Sequence, residues 1–340
     1  MSGGASEGSG TVAAGWRVTS ASVMGSMHVR EHLPNQDRVL TWSDDDGARA
    51  VMAVADGHGH STHFRSDVGA ELAAEAAVDA LRALVTRGRV DAVTDAVLAE
   101  VAGRVVRAWR SGVQEHVEAN PFPRDRGVRD PMLPYGATLL AVAAAGRPTG
   151  RLLFLQIGDG DTVAVRASGE AFRPLAEDPS LDGVHTASLC QPDPLRSFRY
   201  AVVEPDDDPV VLAYCCTDGF GRARVDDDWW ARTGVELLGF ARDRGLSWIA
   251  RQLPEWLEEP ARIGGDDTTL SLLAHGSLGP SDAGDEQPDG DAVPPTVPIP
   301  YDESPATVET VDRAEQAEQA EQAEQAVEPP PTVERPKVQP

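Results

Sequence analysis

The chain has 340 residues, a net charge of −25 and three cysteines. The acidic balance excludes binding to phosphate backbones, which needs clustered Lys and Arg. No run approaches the roughly 20 apolar residues of a membrane-crossing helix, and Cys190, Cys215 and Cys216 form neither a disulfide framework nor a zinc spacing. A soluble, cytoplasmic, monomeric protein from a reducing compartment is expected, with no nucleic-acid or membrane partner.

Met1 to Ala14 is Gly/Ser-rich, lacks the basic and apolar blocks of a signal peptide, and reads as disordered. Trp16 to Met24 alternates like a strand, and Gly25 breaks it. A polar segment, Ser26 to Pro34, leads to Asn35-Gln36-Asp37 and a short strand through Trp42. The turn residues Asp44 to Gly47 predict a hairpin into the strand Ala48–Asp56. Two helices follow. The first is capped by Ser66 and Asp67, carries Val68, Leu72, Ala76, Val78, Leu81 and Val85, and ends at Gly88. The second starts near Asp91, with Val93, Val97, Val101, Val105 and Trp109 as a buried stripe. Four prolines between Asn120 and Pro134 make that stretch a loop.

Strands then dominate: Ala137–Ala144, Arg151–Ile157, Thr162–Arg166, Phe198–Val203 and Val210–Cys216, the last with Cys215 and Cys216 on opposite faces. The irregular stretch Glu170–Ser197 has the length of a functional loop. Helices at about Asp227–Arg242, where the Trp229-Trp230 pair reads as packing, and at Ser247–Glu258 precede a last strand, Thr268–Ala274. Runs of strands with paired helices argue for an α+β fold rather than alternating βαβ units. From Gly276 to Pro340 the composition turns to Pro, Asp, Glu, Gln and Ala, with 15 acidic and 3 basic residues contributing −12 to the net charge. This tail, with Ala-Glu-Gln repeated four times from Ala314, cannot offset chain entropy and reads as a disordered spacer. One ordered domain, residues 15–275, is expected.

Four aspartates sit at the ends of predicted strands: Asp56 in Asp56-Gly-His-Gly-His60, Asp159 in Gly158-Asp-Gly160, Asp218 in Thr217-Asp-Gly219, and Asp266 in Gly265-Asp-Asp-Thr-Thr269. One aspartate at a strand end is an ordinary turn former. Four, far apart in sequence, point to one pocket assembled by the fold. Carboxylates sharing a pocket repel one another, and hard divalent cations relieve the repulsion. Two such ions can lower the pKa of a bridging water and aim it at phosphorus. A glycine beside such a ligand, as in Asp56-Gly57, lets its own carbonyl reach a metal. His58, His60 and His63 leave a zinc site as an alternative.

With Asn35-Gln-Asp37 and Gly136-Ala-Thr138 added, six motifs stand in an order that resembles the metal-dependent protein phosphatases of type 2C, from about Trp16 to Ala274. The resemblance, to a divergent bacterial member, implies two packed antiparallel β-sheets flanked by paired helices, a four-layer αββα sandwich. It implies a Ser/Thr protein phosphatase with two Mn²⁺ or Mg²⁺ ions and direct attack by a metal-bridging water. Carried over by residue, Asp56 bridges the two ions, the Gly57 carbonyl binds one, Asp218 and Asp266 hold the second, and Asp159 helps bind a third, weaker one. Asp37 orients the water, and His58 protonates the leaving oxygen. The implied partners are phosphorylated proteins, with a Ser/Thr kinase and its substrates as counterpart.

The chain also departs from the family pattern. Gln36 stands where the family has a glutamate, His60 where it has a glycine, and Asp267 where it has an asparagine. The family's phosphate-binding arginine falls at His32, which leaves Arg30 as the candidate, with His28 and His32 as substitutes. These departures keep open a pseudophosphatase that binds phosphoproteins without turnover. A phosphatase of small metabolites shares the metal chemistry and is a third reading.

Overall fold

The computed structural model describes residues 15–279, except 88–89, 147–149, 179–185 and 225. The described residues belong to one compact unit. The N-terminal segment and nearly all of the acidic tail, both expected to be disordered, lie outside them.

Two five-stranded sheets, antiparallel throughout, form the centre. The first has the order β1-β10-β9-β6-β7, from β1 (Trp16–Val23), β10 (Thr268–His275), β9 (Val210–Cys216), β6 (Asp161–Arg166) and β7 (Ala171–Phe172). The second has the order β2-β3-β4-β5-β8, from β2 (Arg38–Ser43), β3 (Arg49–Ala55), β4 (Leu139–Ala145), β5 (Arg151–Ile157) and β8 (Arg199–Val203).

The central strands are apolar on both sides because both sides are covered. On β3, Ala50, Met52 and Val54 face the layer between the sheets, where they meet Leu140, Phe154, Ala213 and Cys215. Val51, Ala53 and Ala55 face the helices α2 (Ser66–Arg87) and α3 (Asp95–Ala119). On β9, Leu212, Tyr214 and Cys216 pack under α5 (Trp229–Arg244) and α6 (Leu246–Gly264). Cys215 and Cys216 thus point to opposite faces, as strand alternation requires. The four layers are the sandwich that the family resemblance implied, and they bear out the α+β reading of the sequence pattern.

Four local differences have physical causes. Ser26–Glu31 is a helix, α1, rather than an irregular segment. It is held by its surroundings, since its N-cap, Gly25, makes no side-chain capping bond. The second long helix starts at Asp95, after Thr94, because Val90–Ala92 forms a separate 3₁₀ turn. Within the loop Glu170–Ser197, Ala171–Phe172 pairs as β7. Finally, α6 runs past Pro254 and Pro260 to Gly264. Each proline removes a helical hydrogen bond, and the buried face of Trp248, Ile249, Leu253, Trp256, Leu257 and Ala261 offsets the loss.

Register places the chemistry at one edge of the sandwich. The end of β9 lies opposite the start of β6 and of β10, with Cys216 paired to Asp161 and to Leu270. In the other sheet the end of β3 lies opposite the starts of β2 and β4, and the end of β5 opposite the start of β4. Asp37, Asp56, Asp218 and Asp266 flank these ends, and Asp159 lies in the β5–β6 turn that crosses between the sheets. Among the described residues no helix is long and apolar enough to cross a membrane.

Candidate active site

Asp56 and Asp37 are placed by backbone and hydroxyl contacts from neighbouring strand ends. Thr138 accepts the Asp56 N–H at 3.2 Å and donates its own N–H to the Asp56 carbonyl at 2.8 Å. Gly57 and Ala137 extend that pairing by an isolated bridge, and His58 N–H donates to the Gly136 carbonyl at 3.1 Å. Gly57 cannot carry a side chain: a Cβ there would lie 2.7 Å from the Ser66 carbonyl oxygen and 2.8 Å from that of Gln36.

Asp37 is 2 % exposed. Its Oδ2 accepts from the hydroxyls of Thr217 at 2.9 Å and Thr269 at 2.7 Å, so two motifs from the other sheet aim it. Its Oδ1 is buried without a hydrogen-bond partner, as are Asp218 Oδ1 and Gln36 Oε1. Asp266 follows Gly265, whose φ of +85° is the left-handed turn out of α6, and its Oδ1 accepts the Asp267 N–H at 2.8 Å. Asp267 itself is structural. Its Oδ1 accepts from Gly25 N–H at 2.8 Å, its Oδ2 accepts from Gln36 N–H at 2.5 Å, and His28 Nδ1 lies 2.8 Å from Oδ2.

Burial and mutual repulsion dominate the electrostatics. Burial, then Asp37, Asp218, Asp266 and Asp159, push Asp56 well above the usual carboxylate range. Burial also raises Asp37, against its threonine hydrogen bonds, and Asp266, against the Asp267 N–H. Asp218 is pushed up to about 7 by burial, with Arg222 opposing. His58 is lowered to about 3 by burial and by His63, whose ring it meets edge-on at 4.9 Å.

The structure therefore brings Asp37, Asp56, Gly57, Asp159, Asp218 and Asp266 to one edge, with Gln36 and His58 beside them. Arg30 is exposed on α1, and no hydrogen bond or ion pair engages it among the described residues. His28 is taken up by Asp267. His63 Nδ1 is 2.6 Å from the Leu133 carbonyl and His60 Nδ1 is 2.9 Å from Thr62 Oγ1, and among the described residues His58, His60 and His63 do not form a metal-holding group. Trp229 packs on Phe220 in the core, in keeping with a packing role.

Sequence reasoning missed Arg222. It ends the single turn α4 (Asp218–Gly221), and its guanidinium lies 2.8 Å from Asp218 Oδ2 and 3.9 Å from Asp159 Oδ2. The i, i+4 spacing from Asp218 was the available signal. A cavity of about 580 Å³ opens beside this group, walled by Gln156, Asp161, Arg173, Leu175, Arg199 and Trp229.

Among the described residues no three His, Cys, Asp or Glu side chains form a ready-made coordination shell. The donor set nevertheless suits a hard cation: oxygen throughout, carboxylate-rich and partly orphaned.

No curated protein matches the chain. Among solved structures, the fold is similar to a bacterial serine phosphatase carrying an arginine-to-alanine substitution (12 % identity, 77 % of this chain and 99 % of that one, TM-score 0.50). The phosphatase domain of the cell fate determinant SpoIIE from Bacillus subtilis also matches (13 % identity, 83 % and 98 % covered, TM-score 0.42). So does a Ser-Thr phosphatase from Mycobacterium smegmatis in complex with cacodylate (22 % identity, 76 % and 97 % covered, TM-score 0.43). Residues 24–258 match the family described as Protein phosphatase 2C; Asp266 lies beyond that span, and the fold itself carries it to the other carboxylates. With most of its length in that match and its fold in agreement, the chain belongs to the protein phosphatase 2C family.

Proposed function

We propose that the protein is a cytoplasmic, metal-dependent phosphoserine/phosphothreonine protein phosphatase that acts by direct attack of water. The observation that carries this reading is the set of buried, unpartnered oxygens on Asp37, Asp218 and Gln36 beside carboxylates that repel one another. Against these carboxylates the one arginine in contact among the described residues, Arg222, leaves an excess of negative charge and acceptor oxygens, which cations and water satisfy.

Asp56, the Gly57 carbonyl, Asp218 and Asp266 are the residues that would hold Mn²⁺ or Mg²⁺. Bound there, the ions neutralise the cluster, acidify water and polarise the phosphoryl oxygens. Asp37, held by two threonine hydroxyls, has Oδ1 free to accept from the attacking water and orient it, and Gln36 Oε1 is a second acceptor. Arg30, on the exposed side of α1, takes the substrate phosphate. His58 is neutral in the free site; the charge of an arriving phosphate dianion raises its pKa, so that it carries the proton given to the leaving oxygen. Residues flanking the phosphorylated side chain occupy the cavity beside Asp159 and Asp218.

A covalent thiol route finds no support. All three cysteines are free and buried, and burial raises their thiols, Cys215 to about 12. Phosphate release from a phosphothreonine peptide and from p-nitrophenyl phosphate, with Mn²⁺ and after EDTA, tests the proposal, and no release from either substrate overturns it. One observation favours phosphoprotein binding without turnover: Arg30 makes no contact with the carboxylate cluster. Calorimetry showing tight phosphopeptide binding by a protein that releases no phosphate would establish that reading.

A further inference from the structure

Asp159 and Asp218 face each other across the β5–β6 turn and the end of β9, and Asp159 adds to the cost of charging Asp218. Their Oδ2 atoms share one partner, the Nη2 of Arg222, at 3.9 Å and 2.8 Å. Asp159 Oδ1 accepts the Thr186 hydroxyl at 2.8 Å, and the Asp159 N–H donates to the same Oγ1 at 3.0 Å. Of the four carboxylate oxygens only Asp218 Oδ1 is buried with neither a hydroxyl nor a guanidinium on it, and the Asp218 side chain also meets that of Asp56. The other arginines of the cavity wall are engaged elsewhere. Arg173 is 2.5 Å from Asp161, and Arg199 donates to the carbonyls of Gly158 and Ala176. Arg222 is also fixed through the backbone, its N–H donating to the Asp218 carbonyl at 2.7 Å, so a one-turn helix holds the guanidinium over the carboxylate it serves.

We infer that Arg222 is the resident cation of the Asp159–Asp218 pair, filling with a guanidinium the place where these carboxylates would otherwise take an additional divalent ion. The inference rests on the metal-dependent phosphatase reading. Arg222 claims Asp218 Oδ2 and leaves Oδ1 for the ions held with Asp56 and Asp266, so it is a positioning residue. The guanidinium lies within 3.9 Å of the Oδ2 atoms of both carboxylates, so an ion held by those two atoms would compete with it.

The test counts Mn²⁺ bound per full-length chain at saturating free Mn²⁺, by equilibrium dialysis with elemental analysis. Arg222→Met, close in size and uncharged, should bind one more ion than wild type, and Arg222→Lys should match wild type. Asp159→Asn combined with Arg222→Met should return to the wild-type count. Arg222→Gln serves in place of the methionine variant if circular dichroism shows that the latter is unfolded. The same non-zero count in wild type and Arg222→Met overturns the role of Arg222 while leaving the metal centre standing. An extra ion that survives the Asp159→Asn change overturns it too. If neither protein binds Mn²⁺, the metal-dependent reading falls, and this inference with it.

Discussion

Asp37, Asp56, Asp218 and Asp266 all sit above the usual carboxylate range because the fold buries them together before any cation arrives. Asp218 remains protonated in the fold up to about 7, whereas the ordinary value is 3.8. Between these limits folding takes up a proton, so the stability Asp218 contributes is full below the lower value and is lost as pH rises through the upper one. His28, raised by Asp267, acts in the same direction, while His58, lowered, acts in the opposite one. A difference measurement removes those contributions. In metal-free protein, the melting temperature of Asp218→Asn relative to wild type should climb between about pH 5 and about pH 7. A flat difference across that range would contradict the account. Gln36 offers a second test, because its Oε1 is buried without a partner. Gln36→Glu adds a carboxylate there, and should tighten Mn²⁺ binding on the order of tenfold while lowering the metal-free melting temperature. Titration calorimetry and thermal melts read the two effects separately.

At the scale of elements, the site depends on strand ends being tied to loops rather than on any single helix. Asp267, at the start of β10, holds Gly25, His28 and Gln36, and so fixes α1 and the approach to β2. Asp267→Ala should cost roughly 3 kcal/mol, since it removes one partner of a buried, hydrogen-bonded group. Gly57→Ala should cost roughly 1–3 kcal/mol by forcing a methyl group against the Ser66 and Gln36 carbonyls. Chemical denaturation measures both. The strands were legible in the sequence because their apolar runs end sharply: Arg151–Ile157 and Val210–Cys216 are as the pattern predicts. By contrast, α1 was not legible, because a six-residue helix without a capping side chain is held by the distant Asp267. The extension of α6 was hidden by Pro260, a local breaker that tertiary burial overrides.

For the whole molecule, the antiparallel order of both sheets brings carboxylates more than 200 residues apart in sequence to one edge. Their types and strand-end positions were readable, because a strand must stop where a ligand begins. The Arg222 contact to Asp159 was not, because it joins two strand ends through the fold. The last strand, β10, pairs with the first, which closes the sheet at His275. Removal of residues 280–340 should therefore leave the melting temperature unchanged and activity within about twofold, although it removes −12 of the −25 charge. The most direct test of the central claim is Mn²⁺-dependent phosphate release from a phosphothreonine peptide by wild type beside Asp218→Ala. The account predicts turnover by wild type that EDTA abolishes, and a loss of at least about a thousandfold in the variant. Equal rates in the two proteins, or no metal-dependent release by wild type, would contradict it.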